Sequence, residues 1–149
     1  MNNLIIIGAD HRGFAAKEAI KKWLIERKYA IEDVGAPQYE DEDDYVDYAQ
    51  KVSEKVRSIP YSLGLLFCGS GVGMCIVANK FKGVRAALGI REDIVQAARS
   101  DDDINILCLA ADYTSIDQMQ TLINSFLSTP FEQKERFLRR LKKIEEIER

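Results

Sequence analysis

Three short segments carry side chains able to do chemistry. The first is Gly8-Ala9-Asp10-His11-Arg12-Gly13, where the single histidine of the chain stands beside an aspartate. Such a pair can meet a polar ligand, or it can cap the helix that follows; the segment alone leaves both readings open. The second is Cys68-Gly69-Ser70-Gly71-Val72-Gly73. Glycine at alternate positions lets backbone approach a ligand closely. A helix starting here would aim several N–H groups at an anion or a developing oxyanion. The same helix start favours thiolate at Cys68, lowering its pKa from about 8.5. The alternative is a tight strand-to-helix turn around a buried cysteine. The third segment carries Arg136, Arg139 and Arg140. Arg136 and Arg140 are four apart and share a helix face, so their guanidinium groups could grip a phosphate dianion. With Glu132 and Glu135 close by, they could also form a solvated, self-paired face.

Rival chemistries fail on particular residues. A Cys-x5-Arg phosphatase loop needs arginine where Met74 stands, and no Gly-Lys-Ser/Thr run marks a P-loop. The elbow GxSxG fails because Cys68 stands two before Ser70. No GxGxxG follows the first apolar run. A cysteine protease could draw only on His11, and it has no use for the arginine cluster.

These segments need a scaffold, and the apolar pattern supplies one. Leu4–Gly8 is a short Ile-rich run ended by glycine, which fits a buried parallel strand. Further strands are expected at Ala30–Val34, Ser62–Cys68, Val84–Ile90 and Ile104–Ala110. Between them fall helices over 13–27, up to Val56, from Gly71 to Lys80, 91–99 and 115–127. In the first, Phe14, Ala15, Ala19, Ile20, Trp23 and Leu24 share a face. A charged amphipathic helix over 131–148 closes the chain, with Phe137, Leu141, Ile144 and Ile147 at helical spacing. The acidic run at 40–44 reads as a solvated loop or helix start. Strands alternating with helices predict an α/β fold: a three-layer α/β/α sandwich, Rossmann-like, around a five-stranded parallel sheet. In such sheets ligands bind outside the carboxyl ends of the strands. No repeat or linker divides residues 1–149, so a single domain is expected.

The bulk numbers agree. The 149 residues are 46% hydrophobic and 30% charged, with a net charge of -3, which suits a soluble domain and lacks the basic excess of nucleic-acid binders. Three cysteines at 68, 75 and 108 give neither a disulfide framework nor a zinc motif. The first apolar run is too short for a signal peptide or a membrane span. A cytoplasmic location follows as the expectation.

Four segments, in order along nearly the whole chain, resemble one family. They are Gly8-x-Asp10-His11-x-Gly13-Phe14, Asp44-Tyr45-x-x-Tyr48-Ala49, Cys68-Gly69-Ser70-Gly71-Val72-Gly73 and Ala78-Asn79-Lys80-Phe81-x-Gly83-Val84-Arg85. The family is ribose-5-phosphate isomerase B with the galactose-6-phosphate isomerase subunits. The resemblance implies an aldose–ketose sugar-phosphate isomerase working through an enediolate, with no metal and no organic cofactor. It implies a homodimer, sometimes a tetramer, with active sites built across the subunit interface. Cys68 matches the base that carries the proton between C2 and C1, and Ser70 the residue assisting it. The backbone of Gly69, Gly71, Val72 and Gly73 matches the loop that stabilises the enediolate. Asp10 and Tyr45 match sugar-contacting positions; His11, Arg136 and Arg140 match the phosphate-binding set. Gln133-Lys134-Glu135 stands where the family has Gly-Gly.

The sequence departs from that pattern at three places. The family has His-Asn where Asp101 and Asp102 stand, and its histidine helps to open the furanose ring. It has arginine where Asp112 stands. Three acidic residues are thereby expected on the same side of the site, where each would repel a phosphate dianion. Asp101 is expected to take over ring opening if its pKa is raised. Ribose 5-phosphate is the expected substrate; allose 6-phosphate or galactose 6-phosphate, or a non-catalytic sugar-phosphate binder on this fold, are the alternatives.

Overall fold

A computed structural model describes residues 3–149. Among the described residues five segments form strands: β1 (Ile5–Ala9), β2 (Ile31–Asp33), β3 (Leu63–Cys68), β4 (Ala86–Leu88) and β5 (Ile106–Ala110). Six helices accompany them: α1 (Phe14–Glu26), α2 (Tyr45–Ser58), α3 (Val72–Ala78), α4 (Glu92–Asp102), α5 (Ile116–Ser128) and α6 (Glu135–Ile147). All strand pairs are parallel, in the order β2-β1-β3-β5-β4. The α/β sandwich is as expected.

The central strands β1, β3 and β5 are buried throughout. Their alternating side chains feed two cores. Ile5, Ile7, Leu65, Phe67, Leu107 and Leu109 face α1, α4 and α5. Ile6, Leu66, Cys68, Ile106 and Cys108 face α2 and α3. The edge strands β2 and β4 are three residues each and only half-buried. They are shorter than the segments expected from the sequence, because an edge strand has a ladder partner on one side only.

From β1 the chain turns outward to β2, then returns to the other side of β1 for β3. That reversal opens a crevice between the carboxyl ends of β1 and β3, the place where α/β sheets bind ligands. Asp10 follows β1 there, and Cys68 ends β3. The edge strand β2 is tied back by charge. Asp33 accepts from the fully buried Lys17 at 2.7 Å and from Lys21 at 2.8 Å, both on α1. No helix among the described residues is long and apolar enough to cross a membrane.

Candidate active site

Two glycines shape the crevice. A Cβ on Gly13 would lie 2.2 Å from the Phe67 carbonyl oxygen, so the turn after β1 can press against β3 only without a side chain. Gly71 adopts φ +75°, which glycine tolerates, and turns the chain from β3 into α3. These two turns bring the Asp10-His11-Arg12 segment beside the Cys68 loop.

Cys68 is buried, and its Sγ accepts the Gly71 N–H at 3.1 Å. The expected lowering of its pKa is overturned. Burial pushes the thiol up, and the nearby Asp10 charge adds to this; the N–H groups of Met74, Gly71 and Ser70 oppose without prevailing. Desolvation penalises the thiolate more than the loop dipoles reward it. Asp10 is itself buried and raised, again mainly by desolvation, although it accepts from Gly13 N–H at 3.0 Å. The carboxyl and the thiol therefore disfavour each other's charge. Ser70 is exposed at the loop crest, where its Oγ accepts from Val72 N–H at 3.3 Å. Tyr45, at the start of α2, lays its ring on Gly73: a Cβ there would lie 2.7 Å from it.

Two residues of this edge were not anticipated. Asp43 lies within the acidic run taken as solvated, yet its carboxylate accepts from both His11 N–H (2.9 Å) and His11 Nδ1 (2.8 Å), and its side chain is 7% exposed. This bond holds the His11 pKa above its ordinary value. Only its place among five consecutive acids hid it. Arg12 pairs with Asp112, which follows β5. Its position next to His11 was the available signal. A cleft of about 590 Å³ opens on the same edge, lined in part by Ser70, Leu88, Ala110, Tyr113 and Gln118. Cys68 faces the α2 and α3 side instead.

The remaining expected residues lie elsewhere in the chain. α4 runs back from the carboxyl edge, so Asp101 and Asp102 sit at its end, near the amino ends of the strands. There the Asp102 carbonyl accepts from Arg85 at 3.0 Å, and Asp101 accepts from Ser100 Oγ at 2.6 Å. α6 is tied to the same edge at both ends. Glu132 N–H donates to the Ser100 carbonyl (2.9 Å), and Glu148 accepts from Gly83 N–H (3.1 Å). Arg136 and Arg140 are exposed on it. Arg136 stacks on the Phe137 ring at 4.8 Å, while Glu132 pairs with Lys134. Cys68 and the ties that hold α6 thus lie at opposite edges of the sheet. The expectation that Asp101, Asp102 and Asp112 share one side is not met within one chain: Asp112 lies at the carboxyl edge and the other two at the amino edge. No group of three or more His, Cys, Asp or Glu among the described residues is placed to hold a metal ion.

Comparison with known proteins decides the family. The sequence profile of the ribose/galactose isomerase family matches residues 5–144. The chain belongs to the ribose/galactose isomerase family. It is 38% identical over 132 residues to a probable ribose-5-phosphate isomerase B of Mycoplasma pneumoniae, covering 89% of this chain and 87% of that protein. It is 33% identical over 130 residues to D-erythrulose-4-phosphate isomerase 2 of Mycolicibacterium smegmatis, covering 86% of each. The crystal structure of ribose-5-phosphate isomerase B from Mycoplasma genitalium with bound ribulose 5-phosphate superposes with a TM-score of 0.93 at 36% identity, over 99% of this chain and 97% of that one. Family membership gives the chain a reaction class, the isomerisation of an aldose and a ketose sugar phosphate.

Proposed function

We propose that the chain interconverts ribose 5-phosphate and ribulose 5-phosphate through an enediolate, with Cys68 as the base. The observation that carries this is the Cys68 thiol at the carboxyl end of β3, beside the β1–β3 crevice, where the N–H groups of Gly71, Met74 and Ser70 point at its sulfur. The thiolate of Cys68 takes the proton from C2 of the open-chain aldose. The electron pair moves onto the C1 oxygen, where the N–H groups of the Gly69–Gly73 loop receive the charge. A proton passes from O2 to O1, the thiol returns its own proton to C1, and the C2 carbonyl of the ketose is left. Ser70 assists at the sugar oxygens, and His11, its pKa raised by the bond to Asp43, meets the phosphate.

One chain offers half of such a site. The thiol stands at one sheet edge and the arginine pair at the other, and apolar side chains are exposed on α3 (Val72, Ile76) and α6 (Leu138, Ile147). We read the working form as a cytoplasmic homodimer in which Arg136 and Arg140 of each chain meet the phosphate beside the other's Cys68. A tetramer would repeat that unit. The reading has no place for a metal, a cofactor, nucleic acid or a membrane.

A second reading is favoured by Asp101. The erythrulose-phosphate isomerase of M. smegmatis is as close to this chain as several ribose-5-phosphate isomerases. A tetrose 4-phosphate carries its phosphate on O4 and cannot close a furanose ring. An enzyme for it would need no ring-opening histidine, which is what Asp101 replaces.

The test is to assay ketose formation from ribose 5-phosphate, and isomerisation of erythrulose 4-phosphate, with wild type and Cys68→Ala. Turnover by wild type and a loss of at least about 100-fold in kcat for Cys68→Ala are expected, with ribose 5-phosphate binding retained. Wild-type rates in the variant would remove Cys68 from the mechanism. A large preference for the tetrose would install the second reading.

A further inference from the structure

We propose that Arg12 is a further substrate-contacting residue, laid on the Gly69 backbone and positioned there by Asp112, so that the chain supplying Cys68 also supplies a cation for the anionic substrate. This deepens the isomerase reading and rests on it.

The placement is specific. A Cβ on Gly69 would lie 2.4 Å from the Arg12 Cζ and 2.5 Å from its Nε. The guanidinium therefore occupies the space that any other residue at 69 would fill, one residue from the proposed base. Its partner Asp112 is anchored to the same loop. Asp112 N–H donates to the Gly69 carbonyl at 3.0 Å, and Ala111 N–H donates to the Cys68 carbonyl at 2.8 Å. Asp112 accepts from one terminal nitrogen of Arg12. An arginine has five N–H donors, so Nε and the second terminal nitrogen keep theirs, on a side chain that is 56% exposed.

The charge balance at this edge says what those donors are for. Asp10, Asp43 and Asp112 bring three carboxylates around the crevice. His11 is engaged by Asp43, Lys17 and Lys21 by Asp33, and Arg91 by Asp93. Without Arg12, Asp43 alone of these three carboxylates would keep an ion-pair partner, and Asp112 would face a phosphate or an enediolate unpaired. The ion pair itself is exposed, and such pairs add little to stability. Its consequence lies in where it holds the guanidinium. Asp112, which stands where the family has arginine, acts instead through Arg12.

The test measures kcat and KM for ribose 5-phosphate, and by calorimetry the Kd of inorganic phosphate, for wild type, Arg12→Ala, Asp112→Asn and the exchange Arg12→Asp/Asp112→Arg. Arg12→Ala should raise KM and the phosphate Kd together by about 10- to 100-fold, the usual cost of one charge-assisted contact. Its kcat should change far less, because a handle of this kind is held in ground and transition states alike. Asp112→Asn should raise both by a smaller factor, and the exchange should recover most of the loss by returning a cation to Gly69 from the β5 side. An unchanged KM and Kd in Arg12→Ala would overturn the proposal, as would a loss confined to kcat. Wild type that binds phosphate but turns over neither sugar phosphate would instead overturn the isomerase reading, and the phosphate Kd of Arg12→Ala would still judge the arginine.

Discussion

At the scale of single residues, two cysteines of one core are driven apart. Cys68 is pushed up by burial, while the hydrogen bond from Cys108 brings Cys75 down to about 7. A base in its thiol form at neutral pH works through its minority thiolate, so kcat/KM should climb with pH through 7 and 8 without a plateau. Alkylation resolved by peptide mass spectrometry checks the cause directly. Cys75 should gain reactivity around pH 7 and Cys68 only above the ordinary thiol range. The reverse order would mean that the loop dipoles outweigh desolvation after all. The sequence placed Cys68 at the carboxyl end of a strand, because glycine spacing and strand ends are local features. It could not show the sign of the shift, which depends on how deeply the packed helices α2 and α3 bury the sulfur. Asp43 and Arg12 escaped for the same reason, since their partners lie 32 and 100 residues away.

At the scale of elements, the buried strands were readable to within a residue or two because apolar runs and their glycine ends fix them. The edge strands were overread: β4, expected over Val84–Ile90, spans Ala86–Leu88. α4 runs on to Asp102, beyond the expected end at 99, and stops where Asp103 takes a left-handed conformation. The helix α1 reaches β2 through Lys17, Lys21 and Asp33, a link that no periodicity reveals. Burial pushes the Asp33 carboxyl up, but its bonds to Lys17, Lys21 and Gly35 N–H bring it below its ordinary value. A carboxylate depressed in this way stabilises the fold above its unfolded pKa of about 3.9 and loses that contribution as pH falls through the folded value. Asp33→Asn leaves the fully buried Lys17 ammonium with only the half-exposed Glu18, at 3.2 Å. It should cost about 3 kcal/mol at pH 7. Lys17→Met leaves Asp33 its bonds to Lys21 and Gly35, so it should cost less, about 1 to 2 kcal/mol. Urea unfolding measures both, and the gap between wild type and Asp33→Asn should narrow below about pH 4. Equal losses would show that the buried ammonium needs no counter-charge.

At the scale of the whole molecule, the sequence named a set of site residues that one chain does not assemble. Asp10, His11, Tyr45, Cys68 and Ser70 gather at the carboxyl edge, while Asp101, Arg136 and Arg140 lie at the amino edge. The resemblance implied sites shared across an interface, and this division is the geometry such sharing requires. In the proposed twofold dimer each chain's arginines would meet its partner's thiol, twice over. Two crippled chains should then repair one another. On the proposed mechanism Cys68→Ala lacks the base and Arg136→Ala/Arg140→Ala the phosphate grip, so each variant alone should be nearly inactive at low substrate. Unfolded together and refolded as a mixture, about half the dimers combine one chain of each kind. In those dimers one site holds both defects and the other holds none. Activity should therefore recover to about a quarter of wild type at equal mixing, and to nothing if the chains are mixed without exchange. No recovery after verified exchange would place thiol and arginines on the same chain's site. It would require α6 to leave its contacts with Ser100 and Gly83 and cross the sheet edge to reach the crevice.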